Sequence, residues 1–459
     1  MYVSDLALND YRSYRELVLQ LPPGAVVFLG RNGRGKTNLV EAVAYLSTFS
    51  SHRVSADRAL VRRPLAQSEP EAPVEPDAGR DPGAARSSKS ASSASAAAAA
   101  GSPEPPTAAV IRARVHHGSQ DRLLELEIVQ GKANRARLNR GPVPARELLG
   151  SLRTVMFAPE DLQLLRGEPG ARRRFLDEIS LQLKPAYAGL RRDLEQVLRQ
   201  RAAVLKQLGP HADLRLADDY LAGWDEALAR LSAQVSAHRL SVIASLRPGL
   251  KRHYRNVSED DKPVELEYRS HLEKLEARLG LDTGTDLAIP LVDNGYFPDL
   301  SAPIEQLTGR YLAALRARRA EELRRAVNLV GAHRDDFEAE LATMPVKGYA
   351  SQGETWSVVL SLRLAQMDLL TADEDTPVLI LDDVFAELDE RRRLALVQSI
   401  APVQQVLITA AVPTDIPAQL EPARFEVTLD EQLVTQVSPL GASSESVTAS
   451  AGAAGGDDD

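Results

Sequence analysis

The sequence predicts an α/β fold in which a mixed-sheet head is interrupted along the chain by a mostly helical lobe. Three observations predict it. The apolar run at residues 25–29 leads through a glycine-rich stretch, residues 30–37, into a helical segment, so strand, tight loop and helix follow one another. A second apolar run, residues 378–381, ends on the adjacent carboxylates Asp382 and Asp383. Between the two, from about residue 171 to 330, apolar spacing shifts from the strand period to the helical one.

Each element follows from its pattern. Residues 2–8 and 16–21 read as strands, the second with Leu17, Leu19 and Leu21 alternating against Val18 and Gln20. Residues 25–29 form a candidate buried strand. Ile111, Ala113 and Val115 alternate with polar neighbours, as do Leu124, Leu126 and Ile128, which predicts antiparallel strands with one wet face. Tyr187, Leu190, Leu194, Val197 and Leu198 fall near one helical face, and so do Tyr220, Trp224, Leu228, Leu231 and Val235. No heptad seam is long enough for a coiled-coil arm. The head is assigned to residues 1–65, 108–165 and 331–440, and the helical lobe to 166–330. Residues 66–107, with seven prolines, no aromatic residue and a Ser/Ala run, read as a disordered insertion. The tail, residues 441–459, reads the same way.

Composition narrows the function classes. The chain has 459 residues and no cysteine, which excludes disulfide scaffolds, zinc fingers and a cysteine nucleophile. No basic and apolar leader opens it, and no run approaches the ~20 apolar residues of a membrane span. The expectation is a cytoplasmic protein with no membrane association. Of the net charge of −9, residues 66–107 carry −3 and residues 440–459 carry −4, so the remainder is nearly neutral. Contact with a polyanion must come from local patches.

Gly30-Arg31-Asn32-Gly33-Arg34-Gly35-Lys36-Thr37 matches the P-loop pattern between a strand and a helix that opens at Asn38. Glycines let backbone N–H groups approach phosphates, and the helix N-terminus favours their charge. Lys36 is expected to reach the β- and γ-phosphates of ATP, and Thr37 to hold Mg²⁺ through its hydroxyl. Asp382 fits a carboxylate that steadies Mg²⁺ through its water shell, and Asp383 one that orients the attacking water. The catalytic candidates are therefore Lys36, Asp382 and Asp383. Ser351-Gln352-Gly353-Glu354 precedes a helix with Val358, Leu362, Ala365 and Leu369 inward. Its plain reading is a capping box; the same geometry also makes a second anion site at a helix N-terminus.

That segment lies where ABC-type ATPases carry their signature motif, and Ala386-Glu387-Leu388-Asp389 resembles their D-loop. Longer blocks are similar to the RecF family. They are residues 1–3 with 11–14, residues 35–42, Ser51-His52-Arg53, residues 157–162 with Gly167 and 172–177, residues 331–336, and residues 381–389. The resemblance implies an ABC-type head with lobe II inserted, and a dimer with ATP sandwiched between heads. In it Ser351, Gln352 and Gly353 of one subunit cover the nucleotide held by Gly30–Asn38 of the other. It also implies binding of single- and double-stranded DNA at gaps, recombinational repair, replication-fork maintenance and the SOS response, with RecO and RecR as partners that help load recombinase. A paired aspartate where transport ATPases carry Asp-Glu implies slow hydrolysis. Two rival readings share the generic motifs: the ATPase subunit of a transporter, and a chromosome structural ATPase of the SMC type.

The chain departs from the family at Ala332, where proline is usual, at Glu354-Thr355-Trp356, and at Thr409, which stands where transport ATPases have a switch histidine. Arg12 reads equally as a nucleotide contact or a turn residue. His333 reads foremost as packing between lobes. Arg172–Arg174 and the arginines between 316 and 325 read foremost as solvated faces, with Glu321 and Arg325 a helix pair.

Overall fold

Alternation at the N-terminus builds an antiparallel meander. β1 (Tyr2–Tyr11) and β2 (Tyr14–Gln20) bury Val3, Leu6, Leu8, Leu17 and Leu19. β3 (Gly24–Leu29) feeds α1 (Lys36–Thr48). β4 (Ala108–His117), β5 (Gln120–Val129), β6 (Arg135–Leu138) and β7 (Gly141–Val143) complete a six-stranded sheet in the order β2-β1-β4-β5-β6-β7. The computed structural model describes residues 1–54, 56–63, 106–258, 262–281, 287–373 and 375–440. Apart from Pro106 and Thr107, the insertion read at 66–107 lies outside the described residues, as does the tail at 441–459.

After β8 (Thr154–Phe157) come α2 (Leu162–Arg166), α3 (Pro169–Leu183), α4 (Tyr187–Leu208) and α5 (Leu214–Val257). The Asp213 carboxylate caps α5 by accepting from the N–H groups of Arg215 and Leu216. At 44 residues α5 is roughly 66 Å long. Leu228 and Val235 pack with α4 residues, whereas Val242, Leu246 and Leu250 join the core of the head. β9 (Val264–Arg269), α6 (His271–Leu279) and α7 (Ser301–Arg325) close this part of the chain.

β10 (Asp336–Leu341) pairs with both β9 and β11 (Met344–Pro345) in a three-stranded sheet. The short, kinked α8 (Val346–Tyr349) leads to α9 (Gln352–Leu370), then β12 (Val378–Asp382), α10 (Glu390–Ile400), β13 (Gln405–Ala410), β14 (Ala423–Leu429) and β15 (Thr435–Pro439). The last sheet runs β15-β14-β3-β13-β12-β8 and is parallel except at β15. Burial on both faces explains why its central strands read as unbroken apolar runs. One face packs α1 against the antiparallel sheet; the other packs α9, α3 and the end of α5.

Three elements differ from the sequence reading. β9 lies inside the segment read as helical, because its alternation spans only six residues. α9 is buried nearly all round, with Leu369 only half-buried, so one inward face understates it. Tyr220 is 62% exposed, since it lies off the face of α5 that Ala217 and Leu221 bury against α4 and α7. Among the described residues, no helix is long and apolar enough to cross a membrane.

The helical part carries a buried ionic cluster. Arg201, 0% exposed, donates to Asp225 (2.9 Å), Asn328 (2.8 Å) and Glu322 (2.6 Å). Arg319 pairs with the same Asp225 and with Asp218. Removing Arg201 leaves two buried carboxylates under-compensated. Arg201→Ala is expected to cost about 3–5 kcal/mol of stability, read from urea unfolding against the parent chain. The other arginines of the 316–325 run divide: Arg318 and Arg325 both pair with Glu321, and Arg316 and Arg324 are exposed.

Candidate functional site

The loop between β3 and α1 can fold only with its glycines. Gly33 and Gly35 have φ of 78° and 100°, a region that costs any residue with a Cβ. At Gly30 a Cβ would sit 2.3 Å from the Val427 carbonyl oxygen on β14. At Gly35 it would meet Ser13 Oγ and Thr435 Oγ1, both at 2.7 Å. Tyr14 donates to the Gly35 carbonyl (3.0 Å), and Thr435 donates to the Arg34 carbonyl (3.0 Å). The back of the loop is thus braced by the β1–β2 turn and by β15. The sequence places Ser13 and Tyr14 in a family-like block without this role and offers no sign of Thr435, because nothing local marks a turn and a strand 401 residues from Arg34 as neighbours of one loop. Gly35→Ala is expected to weaken nucleotide binding by at least about tenfold, since it adds strain of about 1–2 kcal/mol where no brace can give way. Equilibrium titration of a fluorescent ATP analogue reads it.

Lys36 is buried and donates to the Gly30 carbonyl (2.8 Å) and to Asn32 Oδ1 (3.4 Å). Thr37 Oγ1 donates to Asp382 Oδ1 (3.1 Å), which brings the P-loop and the acidic strand end together as their chemistry requires. Asn38 is committed to Ser13 (2.9 Å) and Arg53 (3.0 Å). Arg31, Asn32 and Gly33 are exposed at the loop's rim, and Arg34 is half-buried.

The acidic pair is asymmetric. Asp382 is buried, and burial raises its carboxyl above the usual range; hydrogen bonds from Thr409 and Thr37 pull the other way. Thr409 Oγ1 donates to Asp382 Oδ1 (2.6 Å) and accepts from the Asp383 N–H (2.9 Å). This threonine therefore braces both aspartates. Asp383 sits at φ 51°, ψ 22°, left-handed backbone that aspartate tolerates better than most residues. Its Oδ1 is buried without a hydrogen-bond partner, 3.9 Å from Lys36 Nζ. A buried acceptor left unpaired beside the P-loop lysine suits a water or phosphate-bound group.

Ser351 caps α9: its Oγ accepts from the Glu354 N–H (3.2 Å), and Glu354 returns the bond to the Ser351 N–H (2.8 Å). Lys262 binds Glu354 (2.6 Å) and is the main reason its carboxyl falls to about 2. Thr355 accepts from Arg166 (2.9 Å), and Trp356 packs edge-on against Phe157. The Glu354-Thr355-Trp356 departure thus anchors the helix inward. Ser351 and Gln352 remain exposed. Arg392 bridges Asp389 and Ser357 and lies against Gly353, joining the D-loop-like segment to α9. Among the described residues, no hydrogen bond links Ser351, Gln352 or Gly353 to the P-loop or the acidic pair of the same chain.

Arg12 forms a two-bonded pair with buried Glu41 (2.9 and 2.7 Å) and braces α1, which favours its turn role. Arg172 is buried in a two-bonded pair with Asp336 (2.7 and 2.9 Å), so it is no solvated face.

Comparison with known proteins adds to this geometry. A family model described as "AAA domain" matches residues 5–76. The "DNA replication and repair protein RecF" of Renibacterium salmoninarum is 43% identical over 437 residues, covering 93% of this chain and 98% of that protein. The protein of the same description from Beutenbergia cavernae is 45% identical over 439 residues, again covering 93% and 98%. A solved structure of "the recombination mediator protein RecF-ATPrS in RecFOR pathway" superposes with a TM-score of 0.69 at 20% identity, covering 95% of this chain and 98% of that one. Identity of this order along nearly the whole chain, over a fold whose P-loop and acidic strand meet, shows that the chain belongs to the RecF family of DNA replication and repair proteins.

Proposed function

We propose that this chain binds ATP at residues 30–38, closes as a dimer around two nucleotides, hydrolyses them slowly, and binds DNA in an ATP-dependent way during replication and recombinational repair. The observation that carries the reading is the Thr37–Asp382 contact beside an Asp383 Oδ1 that has Lys36 at 3.9 Å and no hydrogen bond. Lys36 exchanges the Gly30 carbonyl for phosphate oxygens when nucleotide enters. Thr37 and Asp382 are the residues that would hold Mg²⁺, which supplies positive charge against the phosphate oxygens when bound. No cluster of three or more acidic or histidine ligands exists among the described residues, and a Mg²⁺ site completed by phosphate and water needs none. Asp383 orients the water. Ser351 and Gly353 of a second copy supply the N-terminus of α9 to the γ-phosphate. RecO, RecR and recombinase loading at gapped DNA, in the cytoplasm, complete the reading by family resemblance.

DNA binding by the purified chain, with and without ATP and Mg²⁺ across a salt series, tests it. ATP is expected to promote dimerisation and salt-sensitive DNA binding together, and Lys36→Arg to abolish the response. ATP binding with no DNA binding under any condition ends the reading.

Protonation of Asp382 supplies a finer check. Its raised carboxyl must be ionised to hold Thr37 and Mg²⁺, so affinity for ATP with Mg²⁺ falls as pH drops through that raised range. Thr409→Val deletes a bond that lowers this pKa, so the fall-off moves to higher pH. An unshifted profile in a nucleotide-binding titration removes Thr409 from that role.

A further inference from the structure

Two of the family-like blocks, residues 167–177 and 331–336, take no part in the nucleotide site. They meet each other instead. Arg172 holds Asp336, Arg173 donates to the Asp335 carbonyl (2.8 Å), and Arg239 joins Asp177 to the Ala332 carbonyl (2.7 Å). Beside these contacts, between the start of α3, the start of α6 and residues 332–334, lies a cleft of about 580 Å³. Four cations line it: Arg269 is taken up by carboxylates, and the other three are Arg173, Lys274 and Arg334. Among the described residues none of the three has a carboxylate at ion-pair distance. Arg173 is half-buried, and burial, then the neighbouring Arg239, hold its guanidinium below its usual range while Asp336, Asp335 and Asp177 pull the other way.

The acidic groups nearby do not neutralise them. Asp336 is already held by Arg172, and Glu267, Glu338 and Glu340 all pair with Arg269. Among the described residues, Glu168 is the one carboxylate lining the cleft that has no ion pair. Two histidines complete the wall. Burial, then the neighbouring cations, push His271 and His333 down to about 4, so both stay neutral at pH 7 and add no charge to the wall. The start of α3 has no side-chain cap and adds its own partial positive charge.

We propose that this cleft is a second phosphate-binding site, distinct from the P-loop, which takes one nucleotide-sized phosphate ligand through Arg173, Lys274 and Arg334. The phosphate is a backbone group of a nucleic-acid strand or belongs to a free nucleotide; the chemistry of recognition is the same. The inference does not rest on ATP binding at residues 30–38. Its test uses the full-length protein and two probes: a short duplex oligonucleotide with saturating ATP and Mg²⁺, read by anisotropy on the unaltered chain, and AMP, read by calorimetry on the Lys36→Ala chain, in which the P-loop is silenced. Lys274 and Arg334 are exposed, so Lys274→Gln with Arg334→Gln preserves the fold. A duplex affinity at least about tenfold weaker, with a salt slope smaller by roughly 1 per residue, assigns the cleft to nucleic acid. Loss of AMP binding with unchanged duplex binding assigns it to free nucleotide. If both probes bind as in their respective parent chains, or neither probe binds its parent, the proposal is overturned.

Discussion

Asp383→Asn is expected to leave ATP binding intact and to slow hydrolysis by about a hundredfold or more. Asparagine is the informative substitution because it keeps shape and accepts left-handed backbone, whereas alanine at φ 51° adds about 1–2 kcal/mol of strain. What asparagine removes is the negative charge and the basic oxygen. That oxygen is Oδ1, buried without a hydrogen bond and paired at 3.9 Å with Lys36 Nζ, a charge that asparagine cannot match. Asp382→Asn should act differently. Asp382 organises Thr37 and Thr409 through one oxygen, so its loss lowers affinity for ATP with Mg²⁺ before any effect on chemistry. Single-turnover hydrolysis beside equilibrium nucleotide binding separates the two. Unchanged turnover in Asp383→Asn removes this residue from catalysis.

The sequence revealed those parts of the site whose chemistry is local. A glycine-rich loop between a buried strand and a helix, and two carboxylates at the end of an apolar run, are short patterns with a physical reason to exist. Their contact, Thr37 to Asp382, spans 345 positions and became visible only in the fold. The braces of the loop follow the same rule. Thr435 looks like any strand threonine until β15 is seen against Ser13 and Arg34. Thr409 was noticed only because a histidine is absent there; its bonds to both aspartates show what it does. Charge runs were the poorest guide. Arg172 and Arg319 sit in arginine-rich stretches that suggest a wet face, yet both are buried in ion pairs, because a run of like residues on a helix points in several directions. β9 escaped notice because six alternating residues carry little weight among helices.

Mixing two inactive variants is expected to restore ATPase activity. Lys36→Ala removes the phosphate contact of the P-loop, and Ser351→Arg blocks the N-terminus of α9. Each alone should lose activity. Ser351 is exposed, and losing its cap costs only about 1 kcal/mol, so the second variant stays folded. The expectation of rescue comes from what the chain does not connect. The capping box, Lys262 and Arg392 hold the start of α9 in place, yet no hydrogen bond among the described residues joins it to the P-loop of the same chain. A rigid, exposed helix N-terminus suits a surface that completes another copy's site. In a symmetric dimer each site then pairs one P-loop with the partner's α9. Random pairing makes half the dimers mixed, and one of the two sites in each is intact, so an equal mixture should regain about a quarter of the parental rate. If Ser351 acted on its own chain's nucleotide, neither site of a mixed dimer would be whole and the mixture would stay inactive. Recovery near a quarter therefore establishes both the dimer and the direction of the contact, while an inactive mixture that still dimerises places α9 outside catalysis in trans.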